Sequence, residues 1–248
     1  MIVGIVALFS VLFFGGAQEY FFIEKLEKGI KKYVFEKDRS KEILADLKLT
    51  KSMIKTFNKE RKAKLSDFYS MNLDRSISRV VFVDYFEDRI GERLVFQEKM
   101  IEKRLLVVTK IEDGEWKEII NLSDASVQKK MAKVEKKGAP DPFEAVIKTI
   151  KSNIADHNNQ AKAVSIVQDF EEEYTDFLNE VNAVNTIESE LLRNKKTSAA
   201  EFRKLANDMN QLREKVYLSL IGLHFDLKEI TSESEWNKVM NSVNKVII

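Results

Sequence analysis

The chain has no cysteine, two prolines and eight glycines in 248 residues. Without cysteine there is no disulfide framework, no thiol nucleophile and no thiolate metal site. Two prolines favour long uninterrupted helices, because proline removes a backbone donor and clashes with the preceding turn. Eight glycines without a glycine-rich cluster leave no phosphate-cradling loop and no dinucleotide fingerprint. A nucleophile elbow and a zinc-protease helix are missing too. The only histidines are His157 and His224. A di-metal carboxylate bundle places a Glu three residues before each metal-binding His, and those positions hold Ile154 and Ile221. No enzyme, cofactor or metal is expected.

Charge of one sign is also lacking. The 41 basic and 40 acidic side chains leave a net charge of +1, which argues against a generic nucleic-acid binder. The average hides a division. Residues 1–141 hold 28 of the basic and 23 of the acidic groups, so the remainder is acidic. The 44% hydrophobic content is enough for a packed core.

What is present begins with residues 1–17, which carry no ionisable side chain. A helix over 1–23 would rise roughly 34 Å, enough to cross a hydrocarbon core. Tyr20, Phe21 and Phe22 would then sit at its interface. The sequence predicts a retained transmembrane anchor over 1–23. A cleaved signal is the main rival, with Gly15-Gly16-Ala17 at the processing site but no basic residue ahead of the run. A buried or peripheral helix is the other. Lys25, Lys28, Lys31, Lys32, Lys37, Arg39 and Lys41 follow and place the body on the cytoplasmic side. A periplasmic or extracellular body, or secretion after cleavage, is the alternative.

Residues 24–77 read as a helical arm, with Leu26, Ile30, Tyr33, Val34, Leu44, Leu47, Ile54 and Phe57 at helical spacing. Residues 78–122 are rich in β-branched and aromatic side chains and predict a small antiparallel β region. Its clearest hairpin turns at Asp113-Gly114, between 105–111 and 116–120. Asp84, Glu87, Asp88 and Glu92 form an acidic cluster that matches no calcium loop and reads as solvent-facing. Residues 123–141 read as a basic linker containing Lys129, Lys130, Lys133, Lys136 and Lys137. Together with Lys25, Lys28, Lys31 and Lys32, these are candidates for contact with anionic lipid or a partner. A solvated charged face or hinge is the plainer account.

Residues 142–248 predict a helical bundle. Asp141 is placed to cap, with Pro142 first in the helix and Glu144 third. A packing seam follows at Phe202, Leu205, Met209, Leu212, Val216, Leu220, Leu223, Leu227 and Ile230, as in a coiled coil or bundle. The polar turn at 194–198 makes two long helices antiparallel neighbours. His224 is expected half-buried beside the seam, and His157 exposed in a turn.

The fold expected is mainly α: an N-terminal transmembrane helix, a long helical arm, a small antiparallel β-hairpin region and a C-terminal antiparallel helical bundle, α+β overall. The function expected is a single-pass membrane-anchored helical scaffold or protein-interaction component of a membrane-associated assembly. A ligand-sensing signalling module, a secreted helical protein and a carboxylate-dependent enzyme are the alternatives. The partners expected are membrane lipid through the N-terminal helix and a protein partner or second copy, not nucleic acid.

Overall fold

The computed structural model describes residues 20–134 and 142–247, and every regular element among them is an α-helix. In chain order these are α1 (Leu26–Tyr33), α2 (Lys37–Leu73), α3 (Arg79–Thr109), α4 (Asp113–Val134), α5 (Pro142–Asn153), α6 (His157–Arg193), α7 (Ala199–Ile230) and α8 (Glu233–Ile247). Side-chain acceptors fix where they start, by taking up amide donors that have no partner within the helix. Asp156 accepts from the Asn159 amide at 2.7 Å. Ser198 and Glu201 form a reciprocal capping box at the start of α7. Glu115 and Glu235 each accept from the amide three residues earlier, at 2.8 Å, in the first turns of α4 and α8.

The order short, long, long, shorter occurs twice. α2 spans 37–73 and α6 spans 157–193, so both limits move by 120 positions. α3 starts at 79 and α7 at 199, α4 at 113 and α8 at 233, with the same offset. Buried positions follow it. Leu26, Ile30, Ile43, Leu47, Val107, Trp116 and Ile119 form one cluster, and their counterparts Val146, Ile150, Ala163, Val167, Leu227, Trp236 and Val239 are buried together in another. Ser78, Phe82, Arg93, Glu115 and Trp116 recur as Ser198, Phe202, Arg213, Glu235 and Trp236.

The two repeats interlock. The Trp116 indole on α4 donates to the Arg193 carbonyl at the end of α6 at 2.8 Å. The Trp236 indole on α8 donates to the Leu73 carbonyl at the end of α2, also at 2.8 Å. Leu73 and Arg193 are themselves counterparts, so the exchange follows a pseudo-two-fold axis. α3 and α7 pack on each other across it. Asn210 there donates to Gln97 at 2.8 Å. The largest apolar cluster draws on both sides of the 123–141 segment, from Leu65 and Phe82 to Trp236 and Val243.

Three expectations are corrected. The β region over 78–122 is helical: α3 covers most of it, and Asp113-Gly114 opens α4 instead of turning a hairpin. The β-branched residues were misleading because burial at helical spacing outweighs their intrinsic preference. The spacing was hidden because Arg93, Gln97 and Arg104 occupy buried positions of α3 beside Phe96, Met100 and Val107. The linker over 123–141 is helical through Val134, and 135–141 lie outside the described residues.

The third concerns the membrane. Of the anchor expected over 1–23, residues 1–19 lie outside the described residues, and no described helix is long and apolar enough to cross a membrane. Tyr20 to Ile23, expected at a lipid interface, form a turn and an extended link. Phe21 is fully buried, 5.3 Å from the Phe202 ring, and its carbonyl accepts from Arg104 at 2.8 Å. Positive φ values at Phe21 and Lys25 break any continuous helix from residue 1 into α1. α2 packs on α3 and α8, so the arm does not stand away from the body. A single-pass anchored scaffold, a membrane-coupled sensor, lipid binding through the N-terminal helix and a location set by a membrane span are therefore set aside.

The reciprocal indole bonds make a direct prediction. Trp116→Phe and Trp236→Phe each remove a buried donor and leave a small void, so each should lower unfolding stability by about 2 kcal/mol. Urea titration followed by circular dichroism checks this. Two tryptophans of purely local value would cost far less than this, or very unequally.

Candidate binding groove between α2 and α3

The two long helices of the first repeat diverge along their middle and leave a groove of about 750 Å³. Its floor is aromatic. Phe57 of α2 and Phe96 of α3 stack at 3.8 Å with ring planes 4° apart. The Arg61 guanidinium lies over Phe57 at 5.1 Å. Most of the charged lining is acidic: Glu60 from α2 and Glu87, Asp88 and Glu92 from α3, with Arg61 and Lys99 the basic residues among the described lining. Glu60, Glu87 and Asp88 have no ion-pair partner among the described residues. Glu92 is held by Lys64 and, at 2.9 Å, by Arg89. Gly91 lies in the α3 wall, where an added Cβ would meet nothing within 4 Å. A glycine inside a helix costs about 1 kcal/mol relative to alanine, and here it leaves the groove open.

The second repeat shows what closes this space. The counterparts of Glu60 and Val95 are Glu180 and Lys215, and these form an ion pair at 2.9 Å from α6 to α7. The counterparts of Met53 and Lys99 are Glu173 and Ser219, which hydrogen-bond across the same two helices. Gly91 is replaced by Gln211. These contacts divide the space there into two hollows of about 230 and 470 Å³, both lined by Glu173, Lys215 and Ser219. Exposed apolar residues differ in the same sense. Leu49, Leu94, Val95 and Leu106 are exposed on the first repeat, and Asp169, Glu214, Lys215 and Asp226 stand in their places on the second.

Beneath the groove runs a buried polar layer. Arg93 and Arg213 are 3% and 0% exposed. Arg213 donates to Asn210 at 2.7 Å, and Asn210 to Gln97. Burial pushes the Glu188 carboxyl up to about 8, against the pull of Arg104 and Arg213. Its counterpart is Phe68, so this carboxyl belongs to one repeat only. Burial also holds His224 down at about 4, between the rings of Phe82 and Trp236 at 4.6 and 4.8 Å. His224 is fully buried, where half-burial was expected, and its Nδ1 lies 3.1 Å from Asn72 Oδ1. His157 is exposed.

The residues singled out from sequence fall in several places. Glu87, Asp88 and Glu92 join the groove rim, while Asp84 is exposed elsewhere on α3. No group of acidic or histidine side chains able to hold a metal occurs among the described residues. Lys25 and Lys28 are exposed, Lys31 pairs with Glu27, and Lys32 lies over the Tyr33 ring at 4.9 Å. Lys129, Lys130 and Lys133 are on α4, with side chains outside the described residues, as are Lys136 and Lys137 altogether. The seam from Phe202 to Leu227 is buried, with Ile230 half-buried. Phe57 was expected only as a packing residue of the arm, and Gly91, Val95 and Phe96 only as part of the β region. Aligning the chain with itself at 120 positions, guided by the Glu-Trp pairs at 115–116 and 235–236, would have exposed the contrast of Val95 with Lys215.

His224 sets an acid limit to stability. Its folded pKa lies below the value near 6.5 of an unfolded histidine, so the unfolded chain binds the extra proton. The contribution is complete above pH 6.5 and is lost as pH falls toward 4, with a slope approaching about 1.4 kcal/mol per pH unit. His224→Gln keeps a partner for Asn72 but cannot titrate. Melting curves of the two proteins should converge as pH falls from 6.5 to 4, and parallel curves would contradict the assignment.

No family model, curated protein or solved structure matches this chain.

Proposed function

We propose that the chain is a non-catalytic receptor that takes a cationic amphipathic helix of another protein into the α2–α3 groove. The carrying observation is the groove itself: a stacked Phe57–Phe96 floor beneath a rim of three carboxylates that have no ion-pair partner among the described residues. A helix docking by one apolar stripe needs a long trough with an apolar base. Flanking Lys or Arg on that helix would meet Glu60, Glu87 and Asp88, which steer encounter and fix orientation. The contrast with the second repeat supports the reading, because the same helices there are tied together by Lys215–Glu180. Val95 is exposed in the groove wall, where the second repeat has Lys215, and this points the same way.

The test uses a Leu/Lys amphipathic peptide and its Leu/Glu analogue, titrated calorimetrically into the full chain. The Lys peptide should bind and weaken with added salt, and the Glu peptide should not bind. Gly91→Gln with Val95→Lys installs the residues of the closed repeat, suits a helix, and should weaken binding at least about tenfold. Equal binding of both peptides, or an unchanged affinity of the double variant, would sink the proposal.

A further inference from the structure

A second hollow, of about 590 Å³, opens on the other side of α2, between that helix and the segment leading into α1. The repeat explains why it is empty. In the second repeat the corresponding space is filled by Phe143, Phe170 and Tyr174, whose ring centroids lie 5.8 to 6.2 Å apart. In the first repeat those positions hold Ile23, Thr50 and Ile54. Three rings become three smaller side chains, and the difference in volume is left open.

The backbone differs in the same place. α5 begins at Pro142, whereas its counterpart stretch at 22–25 is not part of α1, which begins at Leu26. Unwinding that first turn puts Phe21 at φ 51 and Lys25 at φ 58, the only non-glycine residues with positive φ among those described. Side chains rarely adopt this conformation, and Lys25 is at the hollow's wall.

The mouth is basic. Lys25, Lys28, Lys31 and Lys51 line it, and Glu27 is the single carboxylate in the wall. Glu27 is bound by both Lys31 and Lys51, whose contact holds its carboxyl down at about 2. That leaves Lys25 and Lys28 exposed at the rim with no ion pair among the described residues. The counterparts of Lys25 and Lys51 in the filled repeat are Ala145 and Glu171. The basic mouth therefore goes with the empty space.

We infer that this hollow binds a free fatty-acid carboxylate, with the alkyl chain against Ile23, Thr50 and Ile54 and the head group at Lys25 and Lys28. An apolar cavity of this size with a few convergent charges is the usual form of a small-molecule site. A phosphate or nucleotide would leave the apolar wall unused, and a neutral hydrocarbon would leave the lysines unused.

Dodecanoate, decanoate and dodecyltrimethylammonium are the probes, titrated below their micellar concentrations into the full chain by displacement of a fluorescent fatty acid. Dodecanoate should bind saturably, each methylene lost should weaken it by about fourfold, and the cationic amphiphile should not compete. Thr50→Phe with Ile54→Tyr fills the hollow as the second repeat does, and should abolish binding while circular dichroism shows the chain still folded. Lys25→Gln with Lys28→Gln should weaken dodecanoate about tenfold. Undiminished binding by the filled variant, or equal binding of the cationic amphiphile, overturns the inference. So does the absence of monomer binding together with attachment of wild type and filled variant alike to vesicles of anionic phospholipid, since the lysines would then serve a surface. The groove peptides use a different site, so their failure and this one are read separately.

Discussion

The reciprocal capping of two helix ends by tryptophans from opposite repeats is the constraint on which the rest of this structure depends. A helix leaves its last carbonyls without intrahelical donors. Here α2 ends at Leu73 and α6 at Arg193, and in each case the indole of the other repeat supplies a donor. Neighbouring contacts add to this. Arg104 of α3 donates to the Leu192 carbonyl at 2.9 Å, and Arg75 to the Lys228 carbonyl at 2.9 Å. Thr197 reaches back to the Leu191 carbonyl at 2.7 Å, but the Leu73 and Arg193 carbonyls are met from the other repeat. The interlock holds α3 against α7, and this shared pair leaves α2 and α6 as separate outer walls, only the second bridged by Lys215–Glu180.

Within that frame the two repeats have kept geometry and changed chemistry. Arg104 and His224 are counterparts, and each reaches the end of the other repeat's long helix: Arg104 the Leu192 carbonyl, His224 the Asn72 side chain. Leu192 and Asn72 are counterparts in turn. Burial lowers the Arg104 guanidinium to about 10, so it is still charged at neutral pH, whereas His224 is neutral. Arg104 is also stacked over Phe202 at 4.8 Å. One repeat thus holds a charge where the other holds an uncharged ring, and Glu188 sits on the charged side. This layer is not fully met: Glu188 Oε1 and His224 Nε2 are buried with no hydrogen-bond partner among the described residues.

The legible part of the sequence was the part with apolar seams. The seam of α7 could be read because Phe202, Leu205, Met209 and Leu212 follow one another without a polar break, and the turn at 194–198 because Ser198 and Glu201 spell a capping box. α3 was illegible for the opposite reason. Its inward face alternates Phe82, Phe86 and Phe96 with Arg93, Gln97 and Arg104, so hydrophobicity alone loses the period and β-propensity fills the gap. The acidic residues of the groove were visible as a cluster, but their opposing wall was not. Glu60 and Phe57 come from α2, and nothing local reports that two helices stand apart. That information lies in the comparison of residues 120 positions apart, where the identities are few and the matching burial is plain only in three dimensions.

The comparison also says which repeat carries stability and which is free to open. In the second, Phe143, Phe170 and Tyr174 fill one side of α6, and Lys215–Glu180 and Ser219–Glu173 bridge the other. The first lacks all of these at the matching positions of α2, and both hollows result. A fold can leave two faces of one helix poorly filled when the remainder fixes that helix at its ends, and α2 is so fixed: Glu36 caps its start, and Trp236 binds its last carbonyl. The hollows meet at Tyr20. It lines the lysine-rimmed hollow, bonds Asn58 at 2.9 Å, and packs edge-on to Phe96 at 6.2 Å, which is the groove floor. Tyr20 thus joins the wall of the lysine-rimmed hollow to the floor of the groove, and both rest on the α2 helix that the two ends hold in place.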